Sequence, residues 1–303
     1  MKWDEEGGGD SNDVEDRRGQ GSGGGSFAGG GGGAGGLGLA FGLFRIFGWR
    51  GLLVGAVIGV VLKANLFGMM NGGGATRAVA PPSAGARVAP ADEQQSAKFV
   101  TWVLNNAQSV WTQEFAARGS AYEKTKLVLF TGATRSGCGG ADAASGPFYC
   151  PADRKVYIDL GFYAELKRRF GAPGDFAQAY VIAHEIGHHV QNLLGTEAKM
   201  RAAQRARPRE ENQLSVRMEL QADCYAGIWG KHNEQRLEQG DVQEALTAAT
   251  AIGDDRLQKQ AGQRVNPEGW THGSSAQRVA WFTQGMRTGK MEACDTFNLP
   301  DPK

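Results

Sequence analysis

Residues 184–188 read His184-Glu185-Ile186-Gly187-His188, and residues 219–223 read Glu219-Leu220-Gln221-Ala222-Asp223. In an α-helix, residues four positions apart lie one turn apart on the same face. His184 and His188 can therefore direct their imidazoles at one metal ion. Glu185 points about 100° away around the helix axis, so we expect it to lie beside the metal rather than to bind it.

The second motif supplies the groups that the first one lacks. Glu219 can serve as a third ligand, which leaves one coordination position open, as in catalytic zinc sites. Asp223 lies one turn later and can accept the outer N–H of a ligating histidine. Glu210 and Glu211 are competing third ligands, but neither has an acidic residue four positions on. These donors predict one Zn²⁺ per chain, with Glu185 as the base that takes a proton from water. The alternative is a polar helix face with solvated histidines and surface acids.

Sequence signals on both sides of the motifs support helices. Asp175 is a candidate N-cap for the first helix, and Gly195 is a natural residue at its C-terminal end. Gly187 removes bulk between the two histidines, where another backbone can approach closely. The second motif lies in a predicted helix over residues 210–229.

A third candidate lies in Thr271-His272-Gly273-Ser274-Ser275-Ala276-Gln277-Arg278, near the C-terminus. Ser274 and Gln277 have the spacing of a capping box for a following helix. His272 would then sit on the turn before that helix, from which a side chain can reach a site. The alternative is a surface loop histidine. His189 is assigned a structural role, and His232, past the second motif helix, is assigned none.

Composition divides the chain into segments. Of its 46 glycines, 25 fall in the first 74 residues. Residues 1–36 are charged and then Gly-rich, so we expect them to be disordered. Residues 71–91 are typical of a flexible linker. Residues 92–303 are expected to form the folded domain, with an α+β, mainly helical fold, strands at 126–130 and 155–160, a first helix capped by Asp92 and a late helix over 241–252.

An apolar segment over residues 37–70 precedes the linker. Its uninterrupted apolar run, residues 51–62, is too short to cross about 30 Å of hydrocarbon, which needs about 20 residues. We therefore predict one transmembrane helix of about residues 49–70, which includes Lys63. Alternatives are a span over residues 37–62, which includes two arginines, and an amphipathic segment lying on the membrane or on the domain. Basic residues before the span predict a cytoplasmic N-terminus and an extracytoplasmic domain.

Charge and cysteine content narrow the possible partners and compartments. The formal net charge of the 303 residues is +1, which argues against nucleic acid as a partner. Pairing the four cysteines as Cys138–Cys150 and Cys224–Cys294 would suit an oxidising compartment. The alternative is four unpaired thiols in a cytoplasmic protein. Zinc binding by these cysteines is not expected, because the sequence contains no C-x-x-C spacing.

The HExxH motif followed by ExxxD resembles the gluzincin class of metallopeptidases. The chain as a whole resembles more closely the bacterial neutral zinc metallopeptidase family. Besides the three segments above, the resemblance is carried by residues 12–18 (NDVEDRR), 136–139 (SGCG), 146–151 (GPFYCP) and 156–160 (VYIDL).

The resemblance implies a zincin-like domain, with a small β-sheet and an active-site helix, that hydrolyses peptide or protein substrates. It implies that His272 stabilises the oxyanion and that Arg278 supports it, although Gly273 stands where related enzymes have proline. It further implies that the strand at residues 155–160 aligns an extended substrate by backbone pairing.

These observations predict a membrane-anchored zinc metallopeptidase, single-pass in the bacterial inner membrane, with its domain on the periplasmic side. Two other functions stay open. The first is a zinc-binding membrane protein that acts as an assembly or quality-control partner without proteolysis. The second is a zinc hydrolase of non-peptide bonds. The sequence indicates neither a cleavage preference nor an oligomeric state.

Overall fold

The computed structural model describes residues 1–4, 11–19, 90–142, 145–170 and 174–302. Within these ranges the chain is mainly helical and contains a four-stranded and a two-stranded sheet, which agrees with the predicted fold class. The strands are β1 (Val14–Asp16), β2 (Lys126–Phe130), β3 (Ala133–Ser136), β4 (Gly139–Asp142), β5 (Phe148–Cys150) and β6 (Lys155–Asp159). The helices are α1 (Pro90–Ala116), α2 (Gly161–Phe170), α3 (Asp175–Leu193), α4 (Thr196–Ala206), α5 (Glu211–His232), α6 (Asp241–Ala251), α7 (Asp254–Gln260) and α8 (Ser275–Thr288). Short 3₁₀ turns lie at Pro208–Glu210, Glu234–Arg236, Pro267–Gly269 and Met291–Cys294.

The larger sheet has the strand order β1-β2-β6-β5, and the smaller sheet is the antiparallel pair β3-β4. In the larger sheet β1, β2 and β6 run parallel, whereas β5 runs antiparallel to β6. Side chains alternate between its two faces. On one face Leu127, Leu129 and Ile158 join the large core that the helices form. On the other, Val128 and Tyr157 belong to a smaller buried cluster.

Strand β1 contradicts the prediction of disorder for residues 1–36 in the parts of that segment that the structure describes. Backbone hydrogen bonds join Leu127 N–H to Asp13 and Arg17 N–H to Leu129, each at 2.8 Å. Val14 packs against the core, and Glu15 forms a 2.6 Å ion pair with Lys155. A three-residue strand needs only free backbone groups and one apolar contact, so the polar composition did not reveal it.

Several element boundaries differ from the predictions by one or two residues. Helix α1 begins at Pro90, so Asp92 lies in its first turn rather than at its N-cap. Gly174 is the N-cap of α3, and Asp175 is its first residue. Gly195 follows the C-terminal end of α3 with a φ of 70°, the left-handed conformation expected there. The capping box of Ser274 and Gln277 is confirmed at the start of α8.

Two disulfides join the pairs that the sequence suggested. Cys138 is bonded to Cys150 beside the β3-β4 hairpin, and Cys224 on α5 is bonded to Cys294. The alternative of four free thiols is therefore wrong. In the described ranges, no helix combines the length and the apolarity that crossing a bilayer requires. The predicted span of residues 49–70, like the linker up to residue 89, lies outside those ranges.

Candidate metal centre and active site

Close contact between α3 and α5 brings the two sequence motifs together. A Cβ atom added at Gly187 would lie 3.0 Å from the carbonyl oxygen of Ala222 and 3.1 Å from its Cα atom. A larger residue at this position would therefore push α5 away from α3. The prediction that Gly187 allows another backbone to approach is confirmed, and the approach places Glu219 opposite the two histidines.

Glu219 faces both predicted histidine ligands. Its Oε2 atom lies 3.3 Å from His184 Nε2, and its Oε1 atom lies 3.6 Å from His188 Nε2. These are the three residues of one potential metal-binding group, whose ligand atoms all lie within 4.8 Å of one another. Bonds of about 2.0–2.1 Å in a tetrahedron place donor atoms roughly 3.3 Å apart. The His-His-Glu set therefore fits a zinc ion, with one position left open to solvent or substrate.

A buried carboxylate holds the outer nitrogen of His184. Asp223 Oδ1 lies 2.9 Å from His184 Nδ1 and accepts a 2.5 Å hydrogen bond from the hydroxyl of Tyr180. Arg278 donates to both oxygens of Asp223 at 2.9 Å. Burial alone would raise the pKa of Asp223, but the charges of Arg278 and His184 hold it below its usual value. The carboxylate therefore stays ionised and fixes the His184 ring with Nε2 directed at the metal position.

Arg278 contacts the site through Asp223 and His184. Its guanidinium is 2% exposed and lies behind His184, where it neutralises Asp223 and contacts Tyr180. A buried aspartate needs a charged partner, and Arg278 supplies it.

Glu185 lies beside the metal position rather than in the donor set, as its place on the helix predicted. It is 8% exposed, and Tyr149 on β5 lies against the same helix, where its hydroxyl contacts His189 and Asn192. Burial raises the pKa of Glu185, against the charges of His184 and His188, which lower it. A carboxylate with a raised pKa is a stronger base than an exposed one, so it is better suited to take a proton from water.

A loop built around Asp254 positions His272. One oxygen of Asp254 accepts the backbone N–H groups of Thr271, His272 and Gly273 at 2.6–3.0 Å. The other lies 3.3 Å from His272 Nδ1. Gly273 has a φ of 90°, which proline cannot adopt, and it donates an N–H that proline lacks. The glycine at this position is therefore required by the loop.

His272 lies close enough to Glu219 for its charge to lower the pKa of that carboxylate. Burial alone would raise the pKa of Glu219, yet the charges of His188, His184 and His272 hold it well below its usual range. The His272 side chain is 47% exposed, so it remains accessible to a bound molecule.

We expect Asp254→Asn to reduce peptide turnover nearly as much as His272→Ala does. Loss of one donor to an oxyanion costs about 10²–10³ in kcat. An amide at position 254 that keeps its oxygen on the three N–H groups would turn its NH₂ group towards His272 Nδ1, so the protonated imidazole would lose its acceptor. Steady-state kinetics at a fixed zinc content would measure the effect. Glu268→Gln makes the same change on the exposed part of this loop and should leave kcat unchanged, and an unaltered kcat in Asp254→Asn would contradict the role.

Sequence reasoning missed three polar residues of this centre. Tyr180 lies four positions before His184 and Gln191 three positions after His188, so helical spacing could have revealed both. Gln191 Oε1 lies 2.8 Å from His188 Nδ1. Asp254 has no comparable signal, because it lies 18 positions before His272 in sequence.

The remaining candidates lie away from the donor set. His189 is fully buried between Tyr149 and the carbonyl of Glu123, as expected of a structural residue. His232 is the last residue of α5, not past its end, and pairs with Glu114. Glu210 pairs with Arg207 on the surface, and Glu211 begins α5. Neither of these two glutamates belongs to a metal-binding group among the described residues.

A second acidic group, Asp175, Asp241 and Glu244, also has the spacing of a metal site. The ammonium group of Met1 lies 2.7 Å from Asp175 and 3.2 Å from Asp241. This cation offsets part of the negative charge of the three carboxylates.

Comparison with known proteins agrees with this geometry. The profile of the family described as "Putative neutral zinc metallopeptidase" matches residues 1–297. The chain belongs to this family. The family match extends to the N-terminal residues that form β1, not only to the residues that hold the donor set.

Among the family's relatives, the chain is 47% identical over 300 residues to the uncharacterized protein YpfJ of Escherichia coli K12, which covers 98% of this chain and 99% of that protein. It is 45% identical over 210 residues to the uncharacterized protein Rv2575 of Mycobacterium tuberculosis H37Rv, which covers 65% of this chain and 69% of that protein. No solved structure matches the chain.

Proposed function

We propose that this protein is a zinc-dependent peptidase. The observation that carries the proposal is one geometric set: three donor atoms that fit a zinc ion, with the buried carboxylate of Glu185 next to His184 on the same helix. His184, His188 and Glu219 would hold the ion. A zinc ion bound there supplies Lewis acidity, which activates water and polarises a carbonyl group.

The roles of the other residues follow from their positions. Glu185 takes a proton from the attacking water and passes it to the amine that leaves, because its raised pKa allows both transfers. His272, held by Asp254, donates a hydrogen bond to the oxygen that gains negative charge. Asp223 keeps His184 in the ligating tautomer. Together these groups provide the base, the acid and the oxyanion donor that amide hydrolysis needs.

Strand β5 is best placed to align the substrate. The resemblance suggested strand β6, but β6 pairs with β2 on one side and with β5 on the other, so its backbone groups are used. In the described sheet β5 is one of the two edge strands, and Tyr149 on β5 contacts His189 and Asn192 of the helix that carries Glu185. An extended peptide that pairs with this edge would carry its scissile bond past the catalytic carboxylate.

The test is cleavage of a diverse peptide mixture, read by mass spectrometry. The full chain is used, because β1 completes the sheet and a fragment that starts near residue 88 would lack it. We expect cleavage that stops with a chelator and returns with zinc. Zinc uptake without peptide cleavage, but with ester hydrolysis, would favour a hydrolase of other bonds. Zinc uptake without any turnover would favour a non-proteolytic partner.

We further propose that the protein is attached to a membrane through residues 37–70, with the metallopeptidase domain on the extracytoplasmic side. The two disulfides support that side, because they persist in oxidising compartments.

Pairing of β1 with β2 supports an N-terminus on the same side as the domain, because two paired strands must lie on one side of a membrane. Arg18 also contacts Glu93 at 3.4 Å, so residues 18 and 93, which flank the apolar segment in sequence, lie close together. We therefore propose that residues 11–19 share the compartment of the domain, instead of the cytoplasmic position expected from the basic residues.

Cysteine labelling would test this arrangement. Asn12→Cys and Ser120→Cys both place a thiol at an exposed residue, one before and one after the proposed membrane segment. In cells with a permeabilised outer membrane, we expect a membrane-impermeant maleimide to label both variants equally. Labelling of position 12 only after lysis would instead support a single membrane span with the N-terminus in the cytoplasm. Protection of both positions would place the domain in the cytoplasm.

A further inference from the structure

We infer that Gln191 and Gln221 form an amide relay that sets the tautomer of His188. The inference rests on the proposed zinc site and identifies the residues that prepare one of its ligands. Gln191 on α3 is fully buried, and Gln221 on α5 is 6% exposed. Buried amides are retained where each of their polar atoms has a partner, and both of these amides do.

Four hydrogen bonds make up the relay. Gln191 Oε1 lies 2.8 Å from His188 Nδ1. Gln191 Nε2 donates to the backbone carbonyl of Met218 at 2.8 Å and to Gln221 Oε1 at 3.1 Å. Gln221 Nε2 donates to the backbone carbonyl of Cys294 at 3.0 Å.

The two carbonyls determine the direction of every bond in the relay. A backbone carbonyl can only accept a hydrogen bond, so the atoms facing Met218 and Cys294 must be the NH₂ groups of the two amides. Both hydrogens of the Gln191 amide are then used, and its oxygen must face His188. An oxygen acceptor requires the proton of His188 to lie on Nδ1. The lone pair of Nε2 is therefore directed towards Glu219 and the metal position.

Different chemical groups thus orient the two histidine ligands. Asp223 holds His184 with a charge that Arg278 balances, whereas a neutral amide holds His188. A carboxylate at position 191 would face the carbonyl of Met218 and Gln221 Oε1 without a hydrogen to donate. Gln191→Glu is therefore not a conservative change, although it keeps an acceptor for His188.

The relay ends at a covalently held residue. Cys294 is bonded to Cys224, the residue that follows Asp223 on α5. The disulfide therefore fixes the last acceptor of the relay relative to the helix that carries Glu219.

The test is zinc affinity, measured on the full chain by competition with a chromophoric chelator. We expect Gln191→Met, which keeps the side-chain length without hydrogen bonds, to weaken zinc binding about 10–100-fold. Gln191→Glu should also weaken it, and Gln221→Met should weaken it less, because Met218 still orients Gln191. Gln113→Met makes the same change on an exposed face of α1 and should have no effect.

Long-range ¹H–¹⁵N spectra of the metal-free protein should show His188 protonated at Nδ1, and this preference should be lost in Gln191→Met.

The outcomes separate the relay from the proposed function. If the wild-type chain binds zinc and Gln191→Met or Gln191→Glu binds it equally tightly, the relay is wrong and the zinc site stands. If Gln191→Met does not fold, unchanged zinc affinity in Gln221→Met would count against the relay in the same way. If the wild-type chain takes up no zinc, the proposed function and the relay both fail.

Discussion

Glu185→Gln is expected to abolish nearly all peptide cleavage while the chain still binds one zinc ion. An amide cannot accept the proton of the attacking water, and general acid–base catalysis contributes about 10²–10⁴-fold to such reactions. Zinc binding should persist, because Glu185 is not one of the three residues of the donor set. The measurement is kcat/KM on a cleaved peptide, together with the zinc content of the purified variant.

A matched control is Glu234→Gln, which makes the same change in the Glu234–Arg236 turn, at a glutamate that pairs with Lys231 on the surface. It should retain wild-type activity and zinc content. Retention of full activity by Glu185→Gln would show that another group acts as the base or that the chemistry is not peptide hydrolysis. Loss of zinc from this variant would instead show that Glu185 helps to hold the ion.

Arg278→Met is expected to destabilise the protein more than any surface change. The substitution leaves Asp223 fully buried without its balancing cation, and removal of one partner of a buried pair costs about 3–5 kcal/mol. The measurement is the free energy of unfolding in denaturant. Arg217→Met removes a similar pair with Asp301, in which both side chains are 35% exposed. This control should cost only about 0–1 kcal/mol. Equal losses in the two variants would contradict the role of Arg278.

The double variant Asp223→Leu with Arg278→Met separates stability from metal binding. Removing both charges should restore part of the stability, because no buried charge is left unbalanced. It should still weaken zinc binding about 10–100-fold, because His184 Nδ1 loses its acceptor. Zinc affinity equal to that of the wild type would show that Asp223 serves stability alone.

Prediction succeeded where one helix sets the geometry. The spacing of His184 and His188 places both rings on one face whatever surrounds the helix. The same reasoning separated Glu185 from the ligands and placed Asp223 one turn after Glu219, and the observed distances agree with each placement. The capping box at Ser274 is also local, since both of its partners lie within four residues.

Prediction failed where a contact depends on residues far apart in the chain. Strand β1 looked like part of a polar, Gly-rich segment, and only the free edge of β2 makes it a strand. Arg278 was assigned to the nearby His272, yet Asp223, 55 positions away, is its partner. Strand β6 was expected to align the substrate, but it pairs with a strand on each side, so its backbone groups are already used.

The sequence by itself determined the candidate donors and the carboxylate beside them, because helical periodicity and residue chemistry are local properties. It suggested the two cysteine pairs, and the structure shows them. Only the tertiary structure decided which groups hold each histidine, which loop carries His272, which strand edge is free and on which sheet the N-terminal residues lie. Those features arise from packing of α3 against α5 and of β1 against β2. A local sequence pattern can show that a helix or strand buries one face, but it does not show which distant segment that face contacts.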